Sequence, residues 1–301
     1  MIMNQNVSIV KIVVGILLSA VLFVDCKKDR IEKKSLNDYK SLNDYFDSKK
    51  EKEQEFIIDG PGKSPIIGNQ GTKIWPSKEN LMFLNNGDSV QWPYTVKLIE
   101  LYTPKSMIFY QKPTIGGGNI LTTGGEIWLQ AYKDSQELVL RPSKTWLISM
   151  PSKATLPDMK QYYGVATTSF TDWANNPAGD FLKTDTSYNA EDQKLGWIAP
   201  DKDAREANSV SISFTSTTDI LTNVAIFIYI PSKRSLIQVY NLVSGKIPEA
   251  TDVKIIAIGI NSSDKLFYYY KEMTLGQNDE NLTISLKEIS DSDLTAKLDA
   301  L

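Results

Sequence analysis

The sequence predicts an all-β protein: two β-sandwich domains in tandem after a signal peptide and a charged tether, with a short C-terminal helix. Three observations carry that prediction. Apolar residues alternate with period two over short runs. Glycine, proline and asparagine interrupt those runs. The runs recur at sandwich spacing in two stretches, from about residue 55 and again from about residue 195. A chain of 301 residues with 42% hydrophobic and 23% charged side chains is large enough for two ordinary cores.

Composition removes several chemistries. The chain has no histidine, which excludes Ser-His-Asp and Cys-His catalysis, imidazole bases and the usual zinc sites. A single cysteine, Cys26, excludes internal disulfides and cysteine-rich metal clusters. A net charge of −3, with lysines spread along the chain, argues against a nucleic-acid partner. Carboxylate, lysine and tyrosine chemistry survive this filter, and so do oxygen-only calcium sites. No motif selects a carboxylate pair among the 36 acidic residues. No catalytic residue, cofactor or metal is therefore expected.

The N-terminus sets the address. "IVVGILLSAVLFV", Ile12 to Val24, is an uncharged apolar run of 13 residues. It is short of the ~20 residues that span a bilayer as a helix and suits the apolar core of a secretory signal. The chain turns polar at once, in "DCKKDR" from Asp25 to Arg30. This stretch resembles a bacterial lipoprotein signal, with "CKKD" similar to lipoproteins of Bacteroidetes-type bacteria. The usual leucine and small residue before the cysteine are here Phe23 and Asp25. The resemblance implies a signal peptide over 1–25, lipid attachment at Cys26, and residence in the cell envelope at the outer membrane or cell surface. Acyl chains contribute ~0.8 kcal/mol per buried methylene, enough for several chains to hold a soluble domain at a membrane.

Residues 26–54 are charge-rich and contain "SLNDY" twice, from Ser35 and from Ser41. They read as a flexible or partly helical spacer. Over 55–153, "EIWLQAY" and "TWLISMP" alternate as strands, "NNGD" at Asn85 signals a turn, and "TTGGEI" places paired glycines where positive φ or close backbone approach is expected. "GPGKS", Gly60 to Ser64, lacks the leading glycine and following helix of a phosphate loop, and "IGGGN" at Ile115 reads as a flexible loop.

"FIIDGPGKSPIIGNQGTKIW", "VKLIELYTPKSM", "LTTGGEIWLQAY" and "ELVLRPSKTWLISMP" occur in that order. Together they resemble the N-terminal region of a group of poorly characterised Bacteroidetes cell-envelope lipoproteins. That region is similar to the sandwich of zonula-occludens and netrin-receptor proteins. Some relatives of that sandwich cleave themselves at a His-Phe-Ser site, an activity that a histidine-free chain does not inherit.

Residues 154–194 read as an irregular connection with one or two edge strands such as "YYGVATT". Asp185, Glu191 and Asp192 are conceivable calcium donors without the EF-hand spacing, and a solvated loop is the expected reading. "LGWIAPDK", Leu195 to Lys202, resembles the "LGWI" segment that opens the C-terminal half of the same lipoprotein group. It is expected to begin a second, immunoglobulin- or fibronectin-like sandwich over 195–290. "VAIFIYI" from Val224 is apolar on both faces, as a strand covered on both sides would be. Ser290 with Asp293 is a helix-cap signature and predicts a terminal helix over 291–301.

Aromatic side chains are the remaining candidates for ligand contact. Tyr268 and Tyr270 lie in a tyrosine run, and Trp173 lies in the polar connection as the best candidate for an exposed ring. Packing is the commoner use of such rings in strands. The sequence thus predicts a lipid-anchored envelope protein acting as a non-catalytic binding or structural module, with the membrane and an envelope protein or glycan as partners. A glycan-binding accessory lipoprotein and a carboxylate-dependent hydrolase are the alternatives.

Overall fold

The structure, a computed structural model, describes residues 41–301 apart from positions 63, 168, 169 and 262. The expected signal peptide, Cys26 and the first "SLNDY" lie outside the described residues. Among the described residues, no helix is long and apolar enough to cross a membrane.

In chain order the principal elements are α1 (Leu42–Lys49), β1 (Gln54–Ile58), β2 (Lys73–Trp75), β3 (Tyr94–Leu101), α2 (Pro104–Tyr110), β4 (Asn119–Thr123), β5 (Glu126–Lys133), β6 (Trp146–Pro151), β7 (Lys160–Ala166), β8 (Thr171–Asp180), β9 (Ser187–Asp192) and β10 (Gly196–Asp203). There follow β11 (Ile212–Thr215), β12 (Val224–Ile230), β13 (Ser235–Val239), β14 (Asp252–Ile260), β15 (Leu266–Thr274), β16 (Glu280–Thr283) and α3 (Asp291–Asp299).

Two sheets make the first sandwich. One runs β1-β3-β5-β10-β7-β8, and the other carries β9-β6-β2 at its centre. Alternation decides which side chains meet between them. Val96 and Leu98 of β3, Ile127 and Leu129 of β5, and Ile198 of β10 face Ile74, Trp146, Ile148, Met150 and Tyr188 of the opposing sheet, all buried in one core. The "TWLISMP" strand therefore holds the inward face its periodicity predicted.

Strand β12 is the second strand of a five-stranded sheet ordered β13-β12-β14-β15, with Lys287–Glu288 at the edge. Both of its faces are covered, as its apolar run predicted. Ile226, Ile228 and Ile230 face a core shared with Ile212 and Phe214 of β11 and with Ile255 and Ala257 of β14. Strands β11 and β16 pair in parallel at that core. Phe227 faces the other way, into a core with Ile256, Ile258 and the three helices: Leu42, Tyr45 and Phe46 of α1, Met107 to Phe109 of α2, and Leu294 and Leu298 of α3. Leu101 of the first sandwich joins this cluster, so a helical layer cements the two sheet systems. Tyr39–Leu301 forms one compact unit.

Several segments differ from the sequence reading. The expected irregular connection, 154–194, carries β7, β8 and β9. In β8 the turn-forming residues of "TDWANNPAGD" hide the strand signal, yet pairing with β7 holds the ladder, with a register shift between Lys160 and Tyr162. "YYGVATT" is not an edge, because β7 pairs with β8 on one side and β10 on the other. The "LGWI" strand does not open the second sheet system; β10 sits inside the first sheet, with Trp197 opposite Trp128.

Part of the expected spacer is helix α1. Its Leu42, Tyr45 and Phe46 are 7%, 0% and 1% exposed, and Ser41 caps it by accepting from the Asp44 amide. Leu42, Tyr45 and Phe46 have the three- and four-residue spacing of one helical face. "IGGGN" is a tight hairpin rather than a flexible loop. Gly117 and Gly118 take φ of 57° and 79° between paired Gly116 and Asn119, the double positive φ of a type I′ turn. The terminal helix is as predicted, with Ser290 Oγ accepting from the Asp293 amide at 3.1 Å.

Candidate functional site

A cleft of about 740 Å³ opens where the first sandwich meets the β12–β13 hairpin. Its floor is the "TTGG" turn between β4 and β5. Gly125 has φ +114°, and a β-carbon there would lie 2.3 Å from the Tyr102 ring; one at Gly124 would lie 2.5 Å from the Tyr188 ring. Only glycine allows the floor to pass this close to both rings. The sequence expectation of positive φ or close approach is met in both senses.

One wall is built at the end of β3. Tyr102 shares a 2.7 Å hydrogen bond with the Thr72 hydroxyl. Burial pushes its phenol well above the ordinary tyrosine range, the Thr72 hydrogen bond opposing and Glu100 adding to the shift. The adjacent loop is fixed by Glu100, 3% exposed, whose carboxylate accepts from the amides of Gln70 at 2.9 Å and Thr72 at 3.0 Å and from Gln54 Nε2 at 2.9 Å. Thr103 caps α2 through reciprocal hydrogen bonds with Ser106, which sets Pro104 and Met107 along the cleft.

The rest of the lining comes from Pro151 to Ala154 after β6 and from Tyr229 and Arg234 of the hairpin. Arg234 occupies the left-handed position that ends the hairpin turn, at φ 51°, a conformation that glycine or asparagine adopts at less cost. Its guanidinium donates to the Ala154 carbonyl and so ties the hairpin to the first sandwich. Burial raises the Tyr229 phenol above its ordinary pKa, and nearby Arg234 opposes the shift. Among the described residues neither Lys153 nor Arg234 has a carboxylate within 4.0 Å, and no acidic side chain lines the cleft.

Beneath the floor lies a pair of buried acids. Glu126, the residue after the floor glycines, and Asp201 of β10 are both 0% exposed; among the described residues the Glu126 carboxyl accepts no hydrogen bond, and Asp201 has only the Thr123 hydroxyl beside it. Register places Asp201 opposite Thr123. Burial lifts Asp201 to about 8, tempered by the Thr123 hydroxyl. Burial also raises Glu126 well above the carboxylate range, with repulsion from Asp201 adding to it and Lys112 opposing. Lys112 is itself depressed by burial; its ammonium donates to Thr171 Oγ1 at 2.6 Å and lies 4.5 Å from the Trp197 ring centre. These acids are closed off from solvent, where burial favours their protonated form, rather than presented to the cleft.

The aromatic candidates from the sequence are placed differently from expectation. Trp173 is 1% exposed, and its indole donates to the Pro113 carbonyl at 2.9 Å. It packs with Tyr162 and Ala199 on the outer face of the first sheet, so it is a core residue and not an exposed ring. Tyr268 and Tyr270 lie two residues apart on β15 with nearly parallel rings, 11° between planes and 6.3 Å between centroids. Tyr268 is only 7% exposed, packed in the helical-layer core, and Tyr270 alone reaches solvent, at 39%. The conceivable calcium donors are not gathered: Asp192 is buried and accepts from the Tyr163 hydroxyl at 2.6 Å, and the described residues hold no metal-binding cluster.

Sequence reasoning missed the cleft because its walls come from segments that topology alone brings together. The signal within reach was the paired glycines of "TTGG". No protein-family model matches the chain, and the comparison with curated proteins finds no match.

Proposed function

We propose that this protein is a lipid-anchored component of the bacterial cell envelope, of the lipoprotein type its sequence resembles, and that its folded part is a non-catalytic binding module. The observation that supports binding without catalysis is the separation of groups. The cleft is furnished with hydroxyls, tyrosines and two cations, while the carboxyls with the most perturbed protonation, Glu126 and Asp201, are sealed below its floor. A glycosidase needs two carboxyl groups flanking the bond to be cleaved, and a sealed pair does not flank anything that enters the cleft. The glycan-binding alternative loses two of its three aromatic contacts, Trp173 and Tyr268, to the core. Envelope residence rests on Cys26 and the apolar run before it. Cells fed a radiolabelled fatty acid should label the wild-type chain and not Cys26→Ser. Equal label in both, or in neither, would remove the anchor from this reading.

A further inference from the structure

We infer that the cleft is a binding site for a carboxylate carried on a ring or short apolar body, held by Arg234 and Lys153. The inference rests on the binding-module reading and deepens it.

Charge complementarity is the first argument. The whole chain carries three more acidic than basic side chains, yet the cleft is lined by two basic residues and no acidic one. Cations in a pocket are ordinarily compensated by neighbouring carboxylates. Here the fourteen ion pairs among the described residues involve neither Lys153 nor Arg234.

The second argument is preorganisation. One bond from the guanidinium to the Ala154 carbonyl fixes Arg234 and leaves its other N–H groups to donate. A planar fork of this kind matches a carboxylate bidentately. Holding an arginine at φ 51° costs conformational energy that a plain turn would avoid. The third argument is the apolar part of the lining. Tyr102, lying on the Gly125 backbone, and Met107 with Pro104 offer a flat and apolar surface to whatever bears the charge. An anion alone would leave that surface unused.

A carboxylate of this description ends a peptide whose last residue is apolar and also belongs to an acidic sugar. Calorimetric titration of the full chain in detergent distinguishes the two sources. The probes are N-acetylphenylalanine against its amide, and galacturonic acid against galactose. At least one acid should bind, and its neutral counterpart should bind at least about tenfold more weakly, as expected for a charge-assisted hydrogen bond. Arg234→Gln should weaken the acid by roughly 10- to 100-fold. Lys153→Gln, at an exposed position where folding is not at stake, should weaken it less, and added salt should reduce the remaining affinity. Binding of neither acid, equal binding of acid and neutral forms, or affinity that survives both substitutions would overturn the inference. Recovery of the probe after titration separates the two levels: an unchanged probe keeps the non-catalytic reading, and a converted probe ends it whichever form binds.

Discussion

Asp201 and Glu126 make the stability of the molecule depend on pH in a direction opposite to that of ordinary surface acids. Burial holds Asp201 at about 8 against an ordinary 3.8, raises Glu126, and lifts Asp192 to about 7. The unfolded chain releases these protons near pH 4, and the folded chain holds them to higher pH. Their cost is therefore absent below the unfolded values and accumulates as pH rises toward the folded ones. The isosteric, uncharged Asp201→Asn removes that dependence at one site. Its advantage over wild type in urea denaturation should be near zero at pH 4 and reach roughly 2–4 kcal/mol by pH 8. An advantage that does not grow with pH would mean that Asp201 is ionised in the folded protein.

Helices are the elements that join the two sheet systems, and α1 is the one the sequence conceals in a charged stretch. Phe46 touches Phe109 of α2 and Phe227 of β12, with ring centroids 6.3 and 6.2 Å apart. Phe46→Ala should cost about 3–5 kcal/mol, the usual range for an emptied aromatic site. A loss below ~1 kcal/mol would return α1 to the status of a spacer. What could be read in advance at this scale followed from local rules. The alternation of β6, the two-sided apolarity of β12 and the Ser290 cap each state a backbone conformation and a buried face within a few residues. What could not be read depended on distant partners. Strand β8 exists because β7 pairs with it, against the propensity of its own asparagines, proline and glycine. Trp173 looked exposed because its neighbours in sequence are polar, whereas its neighbours in space are Tyr162 and Ala199. Likewise, the cleft has no compact sequence signature, since Tyr102, Gly125 and Arg234 meet only after both sheet systems have formed.

At the scale of the whole molecule, β10 decides how the chain can be divided. It lies between β5 and β7 within the first sheet, although the sequence places it beside the second sheet system. A cut before Leu195 removes an interior strand from one product and leaves it unpaired in the other. Fragments 1–194 and 195–301 should therefore each lack the dispersed methyl resonances of a packed core. The intact protein should unfold in a single calorimetric transition whose enthalpy matches its van't Hoff value. Two separated transitions would show that the helical layer does not couple the sheets.

The same layer governs how the molecule bears mechanical load. Tension applied ahead of Ser41 acts first on α1, whose Tyr45 hydroxyl and Lys49 ammonium both hold Asp291 at the start of α3. Next in series comes β1, an edge strand joined to the body by five residue pairs to β3, beginning at Gln54 and Leu98. These ties are loaded in succession, ahead of the interior strands of both sheet systems. A pull from that end would thus be absorbed first as tens of ångströms of released chain.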